Sequence, residues 1–172
     1  MIFGDYNPGG KLPVTFYEST NDLPDFLDYS MENRTYRYFR GVPQYAFGYG
    51  LSYTTFEVGK AKISKKSMKV DGSVTITVPV ENTGDREGTE TIQVYVKALD
   101  YAEAPIKSLK GFQKINLKAG EKGKVQIVLD GESFQYYDPS IDELSTKTGR
   151  YQILYGTSSL EKDLKSIDFV VK

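Results

Sequence analysis

The sequence predicts an all-β protein, an antiparallel β-sandwich of two packed sheets that follows an extended, irregular N-terminal arm. Apolar and polar residues alternate in five runs after residue 55, as they do in strands with one buried face. Turn-forming residues separate these runs, and no segment has the period of a convincing amphipathic helix. Seven or so antiparallel strands of this kind are typical of a two-sheet sandwich.

The N-terminal part of the chain differs from the rest in its composition and in its hydrophobic periodicity. Residues 1–50 hold four prolines and six glycines and keep neither a two-residue nor a 3.6-residue period. Residues 12–16 fit a short strand, and the remainder fits irregular chain that must lie against something, because it is rich in aromatic residues. We therefore divide the chain into an arm, residues 1–50, and a sandwich, residues 51–172.

The alternating runs identify a predicted core and two irregular positions. Pro79 lies inside the first run, where its missing N–H favours a sheet edge or a bulge. The alternation slips by one residue within residues 112–115, which favours a bulge or bend there. Burying one large aliphatic side chain contributes roughly 1.5–3 kcal/mol, so a core of such residues can hold the domain without disulfides. The side chains expected between the sheets are Val74, Ile76, Val94, Val96, Ile127, Leu129 and Ile153.

The composition excludes several kinds of site and partner. The net charge is -1, so there is no basic surplus to favour nucleic acid, and no apolar run is long enough to span a membrane. The chain has no Cys and no His, which excludes a Ser-His-Asp triad, a Cys-His dyad, a thiolate zinc site and the usual heme ligands. We therefore predict no cofactor, no metal, no nucleic-acid partner and no membrane partner.

Acidic pairs are easy to find, but nothing in the sequence marks a pair as catalytic. Hydrolysis by a pair of carboxylates needs the two groups held roughly 5–10 Å apart across a substrate cleft. Asp25 with Asp28, and Asp142 with Glu143, are interpreted as solvated loop acids. Residues 82–85 are interpreted as the turn of a β-hairpin rather than as a calcium-binding loop. No catalytic residue is predicted.

Several sequence strings together resemble one enzyme family over nearly the whole chain. They are GDYNPGGKLPVTF at 4–16, DLPDFLDYSMENRTYRYF at 22–39, GVPQYAFGYGLSYTTF at 41–56 and VPVENTGDREGTETIQVYV at 78–96. These strings resemble the C-terminal part of glycoside hydrolase family 3 enzymes of the β-glucosidase and β-xylosidase kind. In that family they mark the end of an α/β-sandwich domain, a linker, and a fibronectin type III-like (immunoglobulin-like) domain.

The resemblance implies a structural role rather than catalysis by this chain. The family's nucleophile is an aspartate on a (β/α)8 barrel and its acid/base is usually a glutamate on the following domain, and neither motif has a counterpart here. It implies a parent enzyme that hydrolyses terminal β-linked sugars and is periplasmic or secreted. Its catalytic domains are the expected partners, with a second copy of this chain as another. A stand-alone carbohydrate-binding module and a protein-interaction module are the alternatives.

Aromatic residues cluster around the predicted junction of arm and sandwich. The chain has 14 tyrosines, and nine aromatics fall within residues 29–56. They are expected either to pack the linker onto the sandwich or onto absent domains, or to stack on sugar rings. If they pack the linker, the segment up to Asn21 should be disordered, displaced or paired with another molecule, because it belonged to a sheet. The aromatics singled out are Tyr36, Tyr38, Phe39, Phe47, Tyr49 and Tyr53.

Overall fold

A computed structural model describes residues 3–172 and contains two packed β-sheets, as the sequence predicts. Helical structure in this part is limited to one short helix, α1 (Thr35–Tyr38), and three 3-10 turns at Thr20–Asp22, Glu132–Phe134 and Glu161–Asp163. The strands are β1 (Phe16–Tyr17), β2 (Pro43–Tyr45), β3 (Phe56–Val58), β4 (Lys62–Ile63), β5 (Ser67–Met68), β6 (Ser73–Asn82), β7 (Gly88–Ala98), β8 (Ser108–Leu117), β9 (Lys122–Asp130), β10 (Tyr136–Asp138), β11 (Glu143–Ser145), β12 (Gly149–Gly156) and β13 (Leu164–Val171).

The larger sheet has five strands in the order β5-β13-β12-β7-β8. All its neighbours are antiparallel except β13 and β5, which pair in parallel through two residues. In the second sheet β6 pairs with β9 along one side and with β3 and then β4 along the other. Two small ribbons, β1–β2 and β10–β11, lie outside these sheets. The all-β, two-sheet architecture predicted from the alternating runs is therefore confirmed.

The seven side chains predicted to fill the core are all buried between the sheets. They come from β6, β7, β9 and β12, and each is contributed by the apolar positions of an alternating run. Phe134, Tyr151 and Phe169 add an aromatic layer, in which Phe134 stacks on Phe169 at 5.3 Å between ring centroids. Since the chain has no cysteine, this packing replaces disulfides as the source of stability.

The turn between β6 and β7 connects the two sheets and is not a hairpin, which corrects the interpretation of residues 82–85. Strands β6 and β7 belong to different sheets, so their connection crosses the sandwich. The fully buried Asn82 organises it: its amide nitrogen donates to Arg86 O and Leu117 O, and its amide oxygen accepts from Thr54 Oγ1 at 2.7 Å. Asn82 therefore fixes the end of β6 to the end of β8.

Pro79 lies in an interior strand rather than at a sheet edge or a bulge, contrary to expectation. It pairs with Lys124 of β9 in an unbroken register, and its carbonyl accepts from Gly59 N at 2.9 Å. The carbonyl and nitrogen of a strand residue face the same side, so the proline nitrogen faces the gap between β3 and β4. Neither β3 nor β4 pairs with β6 at this position, so no strand carbonyl there needs the N–H that proline lacks.

The bulge in β8 lies closer to its N-terminus than residues 112–115, where the sequence placed it. Val94 of β7 pairs with Gly111, and the next residue, Tyr95, pairs with Leu109. Lys110 is therefore the extra residue, and the strand is regular from Gly111 to Leu117.

Strand β7 is buried on both faces, although its sequence alternates like a strand with one exposed face. Thr91, Gln93 and Tyr95 were expected to point away from the core, and all three are buried. Gln93 donates to Gly48 O and Tyr95 meets the ring of Tyr36, so residues of the arm contact this face of the five-stranded sheet. The polar side of β7 is therefore an internal interface between arm and sandwich.

Two valines on adjacent strands provide a matched test of the core. Val78 on β6 is fully buried and Val128 on β9 is 63% exposed. We expect Val78→Ala to lower the free energy of unfolding by about 2–3 kcal/mol, because it removes buried methyl groups and leaves a cavity. Val128→Ala should change it by less than about 0.5 kcal/mol. Urea denaturation followed by tyrosine fluorescence measures both, and equal losses would contradict this assignment of the core.

Candidate functional site

The first part of the arm is docked on the sandwich, so the expectation that it is displaced or disordered is wrong for residues 7–17. Leu12 N donates to Tyr49 O and Gly48 N donates to Leu12 O, both at 2.8 Å. Asn7 Nδ2 donates to Glu87 O at 2.9 Å, and Asn7 Oδ1 accepts from Tyr53 N at 2.8 Å. Of residues 12–16, for which the sequence fitted a short strand, only Phe16 lies in strand β1.

Gln93 of β7 connects three separate parts of the chain beneath the arm. Its amide nitrogen donates to Gly48 O at 3.2 Å and to Thr157 O at 2.7 Å, and its amide oxygen accepts from the Tyr95 hydroxyl at 2.5 Å. Burial raises the pKa of Tyr95, so its hydroxyl remains a neutral donor. The side chain thus donates hydrogen bonds to two backbone carbonyls in irregular segments, where no neighbouring strand provides a donor.

Both glycines of the string FGYG, residues 47–50, lie where other parts of the chain come too close to allow a Cβ. Gly48 has φ +80°, a left-handed conformation that favours glycine, and a Cβ there would collide with the Gln93 amide. A Cβ at Gly50 would collide with the carbonyl of Gly10 in the arm. The two glycines therefore let one loop touch β7 on one side and the arm on the other.

An enclosed ion pair adds to the docking of the arm. Lys11 Nζ lies 2.7 Å from Glu90 Oε1 of β7, with side chains only 16% and 10% exposed. Glu90 Oε1 also accepts from Thr91 N at 2.6 Å. Such a pair is expensive to break by removing one partner, because the other charge is then left poorly solvated. Sequence reasoning missed Lys11, Glu90 and Gln93. The polar residues inside the long strand β7 are a signal for Glu90 and Gln93, and Lys11 has none.

The six aromatics singled out from the sequence fall into separate groups. Tyr36 stacks on Phe47 at 4.3 Å between ring centroids and meets Tyr95 edge-on at 5.8 Å. The Tyr36 hydroxyl also accepts from Leu109 N at 2.9 Å, which ties this pair to the sandwich. Phe39 contacts Tyr17 of β1 edge-on at 4.8 Å. Tyr38 is half-buried, and Tyr49 and Tyr53 lie on a different surface, described next.

An open apolar groove of about 1010 Å³ runs between the N-terminal segment and the FGYG loop. Several of its large side chains remain substantially exposed, and the Tyr45 ring contacts the rings of Phe16 and Tyr49 at 6.1 and 5.3 Å between centroids. Exposed apolar surface of this extent marks an interaction site. The side chains that line this apolar groove include Tyr6, Pro8, Leu12, Phe16, Tyr45, Tyr49, Leu51 and Tyr53.

A second, smaller cavity of about 290 Å³ lies between the arm and the loops at one end of the five-stranded sheet. We call it the junction pocket. Its walls combine aromatic, charged and hydroxyl-bearing side chains, whereas those of the apolar groove are mostly apolar. It is lined by Thr15, Tyr36, Phe39, Arg40, Gly41, Pro43, Ala46, Ile106, Lys107, Ser159, Leu160 and Glu161.

Several acidic residues of the described chain make hydrogen bonds that favour their charged form. A backbone N–H and the hydroxyl of Ser30 lower the pKa of Asp28, and the Arg150 side chain lowers the pKa of Asp100. A general acid needs a carboxyl whose pKa is raised. Over residues 3–172 no group of three or more acidic side chains could hold a metal ion, and no helix is long and apolar enough to cross a membrane.

Asp138 is the strongest example of a structural acid. Lys147 Nζ lies 2.6 Å from its carboxylate, and the Ser140 hydroxyl donates to it at 2.7 Å. These bonds, chiefly the one from Lys147, lower the pKa of Asp138 to about 2. Lys147 also lies over the rings of Tyr101 and Tyr136 at 5.0 and 5.8 Å from their centroids. The cluster holds the β10–β11 ribbon against the loop that follows β7.

Two family models match the chain on either side of this junction. The glycosyl hydrolase family 3 C-terminal domain matches residues 1–53, and the fibronectin type III-like domain matches residues 90–159. The first match includes both the docked arm and the FGYG loop, so it ends inside the interface rather than before it.

Curated relatives and solved structures support the same assignment. The chain is 51% identical over 168 residues to a xylan 1,4-β-xylosidase of Xylanibacter ruminicola, covering 97% of this chain and 19% of the relative. It is 38% identical to a periplasmic β-glucosidase of Salmonella typhimurium, covering 92% of this chain and 22% of the relative. The crystal structure of a family 3 β-glucosidase from Bifidobacterium adolescentis superposes with a TM-score of 0.86 at 31% identity, covering 99% of this chain and 27% of that one. The chain thus spans about a fifth of the length of these curated relatives.

The Gln93 network can be tested with a substitution of similar volume. Gln93→Leu removes three hydrogen bonds and leaves the carbonyls of Gly48 and Thr157 without this donor. We expect a loss of about 2–3 kcal/mol in the free energy of unfolding, because buried groups lose their partners. Faster hydrogen exchange should appear at the amides of Gly48 and Leu12.

The control is Gln152→Leu on the neighbouring strand β12, where the amide donates to Asp168 in an exposed setting. It should change stability by less than about 0.5 kcal/mol. An unchanged exchange rate at Gly48 in Gln93→Leu would show that the arm docks without this residue.

The Asp138–Lys147 pair predicts a stability change in acid. Because the folded-state pKa lies below the ordinary value of 3.8, its stabilisation is present above that value and is lost as the pH falls towards about 2. Asp138→Asn should therefore lower the urea midpoint at pH 6, and the difference from the parent chain should shrink at pH 2. Asp168→Asn, at an exposed aspartate, is the control. A difference that is the same at both pH values would contradict the role of the charge.

Proposed function

The chain belongs to glycosyl hydrolase family 3, and we propose that it serves as the non-catalytic C-terminal structural part of a β-glycosidase of that family. In this role it contributes a segment of the family's C-terminal domain and a fibronectin type III-like domain. The enzyme it supports would hydrolyse terminal β-linked xylose or glucose, which are the two sugars named by its relatives.

The apolar groove is the observation that carries this proposal. Leu51 is 70% exposed and Tyr6 is 64% exposed, and they share the groove with Phe16 and Tyr45. Its walls come from the part of the chain that matches the family's C-terminal domain. Because about four-fifths of each curated relative lies outside the match, the preceding domains supply a natural partner for this surface.

A second apolar surface in the linker supports the same arrangement. Phe26 and Tyr29 are 90% and 87% exposed, and Leu27 lies between them on a turn. This segment follows the β1 strand and returns to the sandwich through α1, so it projects from the arm rather than covering the core. Large aromatic side chains held out in this way are typical of residues that pack against another domain.

The arrangement of acids agrees with a structural role. Hydrolysis of a glycoside by two carboxylates needs one carboxyl with a raised pKa beside a sugar-sized cleft. Glu161 is the one acid that lines the junction pocket, and its hydrogen bond from Lys107 lowers its pKa. It is therefore suited to hold a charge rather than to donate a proton.

The first test measures the activity of the chain alone. The purified protein should release no 4-nitrophenol from the aryl β-xyloside or the aryl β-glucoside. Turnover that co-purifies with the chain and disappears in Glu161→Gln would overturn the assignment of a structural role.

The second test asks whether the apolar groove supports a catalytic partner. In the Xylanibacter ruminicola relative, this chain can replace the matching C-terminal segment to give a chimera. We expect the chimera to hydrolyse aryl β-xyloside, and the same enzyme without that segment to be inactive or insoluble. Leu51→Ser in the chimera should lower its thermal midpoint by several degrees, because a polar group is buried at the new interface.

Leu144→Ser is the matched control, since Leu144 is 65% exposed and lies on the distant β11 strand. It should leave both the midpoint and the activity of the chimera unchanged. If the two variants behave alike, the groove is not the docking surface.

A further inference from the structure

The junction pocket is lined by an arginine that no acidic side chain of the described chain neutralises. Arg40 is exposed, and its guanidinium makes no hydrogen bond and no ion pair within residues 3–172. The other charged side chains of the wall are Lys107 and Glu161, whose Nζ and Oε1 pair at 2.9 Å. Two cations therefore share this cavity with one anion. A pocket whose wall carries an excess of positive charge favours a negatively charged ligand.

The backbone around Arg40 is fixed on both sides. The preceding residue, Phe39, ends α1 by donating its N–H to Thr35 O, and its ring contacts Tyr17 edge-on. The following residue, Gly41, lies so close to the Phe39 ring that a Cβ there would collide with it. Order of this kind lowers the entropic cost of binding, because the site is formed before a ligand arrives.

A buried hydroxyl opens into the same cavity. Ser159 is only 5% exposed and lines the junction pocket, and its hydroxyl makes no hydrogen bond within the described chain. Unlike the hydroxyl of Thr15, it is not fully enclosed, so the surface that it retains lies in the cavity. Its backbone N–H donates to Phe47 O at 2.9 Å, which fixes the loop. Buried hydroxyls are nearly always paired, so this free donor indicates a bound acceptor.

The Lys107 ammonium adds further donors to the wall. Its side chain is 7% exposed, and the bond to Glu161 uses one of its three N–H groups. This bond, and the positive charges of Lys107 and Lys97, lower the pKa of Glu161. Glu161 therefore stays charged and keeps its partner, and an anion can bind in the pocket without replacing it.

Apolar side chains form the rest of the wall, so the ligand needs an apolar body as well as a charge. The Tyr36 ring is held by its stack on Phe47 and by the bond from Leu109 N to its hydroxyl. A cavity of about 290 Å³ lies at the lower end of the range for small-molecule sites, which suits one ring with one charged group. Fixed aromatic rings favour contact with another ring. The apolar and aromatic residues of the wall are Tyr36, Phe39, Pro43, Ala46, Ile106 and Leu160.

We propose that the junction pocket binds a small aromatic carboxylate, a single ring that carries one negative charge. The Arg40 guanidinium and the Ser159 hydroxyl donate to the carboxylate oxygens, and the rings of Tyr36 and Phe39 contact the ring of the ligand. The site consists of residues of this chain alone, so it does not depend on the proposed attachment to catalytic domains. It assigns a binding activity to the interface between arm and sandwich.

The test titrates the full 172-residue chain with benzoate, acetate and benzamide, and follows amide NMR shifts at constant pH and ionic strength. We expect saturable shifts at Gly41, Ser159 and Leu160 with benzoate, and a dissociation constant of about 1 mM. Acetate lacks the ring and benzamide lacks the charge, so each should bind about tenfold more weakly. The absence of a saturable response to benzoate, or an equal affinity for acetate or benzamide, would overturn the proposal.

Arg40→Gln is the decisive variant, because it keeps a polar side chain and removes the charge. We expect benzoate affinity to fall about tenfold, as for the loss of a hydrogen bond to a charged group. The thermal midpoint should not change, because the guanidinium has no partner within residues 3–172. Ser159→Ala should lower the affinity about three- to tenfold, again with unchanged stability. Retained affinity in Arg40→Gln would contradict the site.

Arg37→Gln provides the matched control. Arg37 is exposed on α1, three residues before Arg40, and it does not line the junction pocket. Its substitution removes the same charge from the same arm. Benzoate affinity should change by less than about twofold at 0.15 M salt, where distant surface charges are screened. If Arg37→Gln weakens binding as much as Arg40→Gln, the effect is one of net charge and the proposed pocket is wrong.

Discussion

The buried amide of Gln93 is the interaction on which the rest of this structure depends. The arm is irregular, and irregular chain carries backbone donors and acceptors that no neighbouring strand can satisfy. A purely apolar outer face on β7 would leave the carbonyls of Gly48 and Thr157 unpaired. Gln93 accepts from Tyr95 and donates to both carbonyls, so it converts a sheet face into an interface for a loop. The outer face of a strand that carries such an arm therefore needs polar residues. A strand whose outer face is exposed to solvent has polar residues at the same positions.

This ambiguity explains which parts of the fold could be predicted from the sequence. The core faces of β6, β9 and β12 were predictable because period-two alternation has one physical cause there, burial between two sheets. For β7 the same alternation was misleading, because Thr91, Gln93 and Tyr95 are polar yet covered. Pro79 was misplaced for a related reason: its missing N–H faces a gap in the neighbouring strand, and such a gap is a tertiary feature that no local pattern records.

The candidate sites were less predictable than the fold. The aromatic cluster indicated an interface, but composition alone could not divide it into Tyr36 and Phe47 on the sandwich and Tyr49 and Tyr53 in the apolar groove. Thr15 and Lys107 had no signal at all, since a hydroxyl and an ammonium in loops are ordinary surface residues. They line the junction pocket only because the fold brings two distant loops together there.

The apolar groove and the junction pocket are separated by a shared wall. Phe16 and Tyr45, which belong to the β1–β2 ribbon, line the groove. Their neighbours Thr15 and Ala46 line the pocket, because successive side chains of extended backbone point to opposite sides. A domain that packs into the groove would therefore restrain the ribbon and, with it, the wall of the junction pocket on the other side.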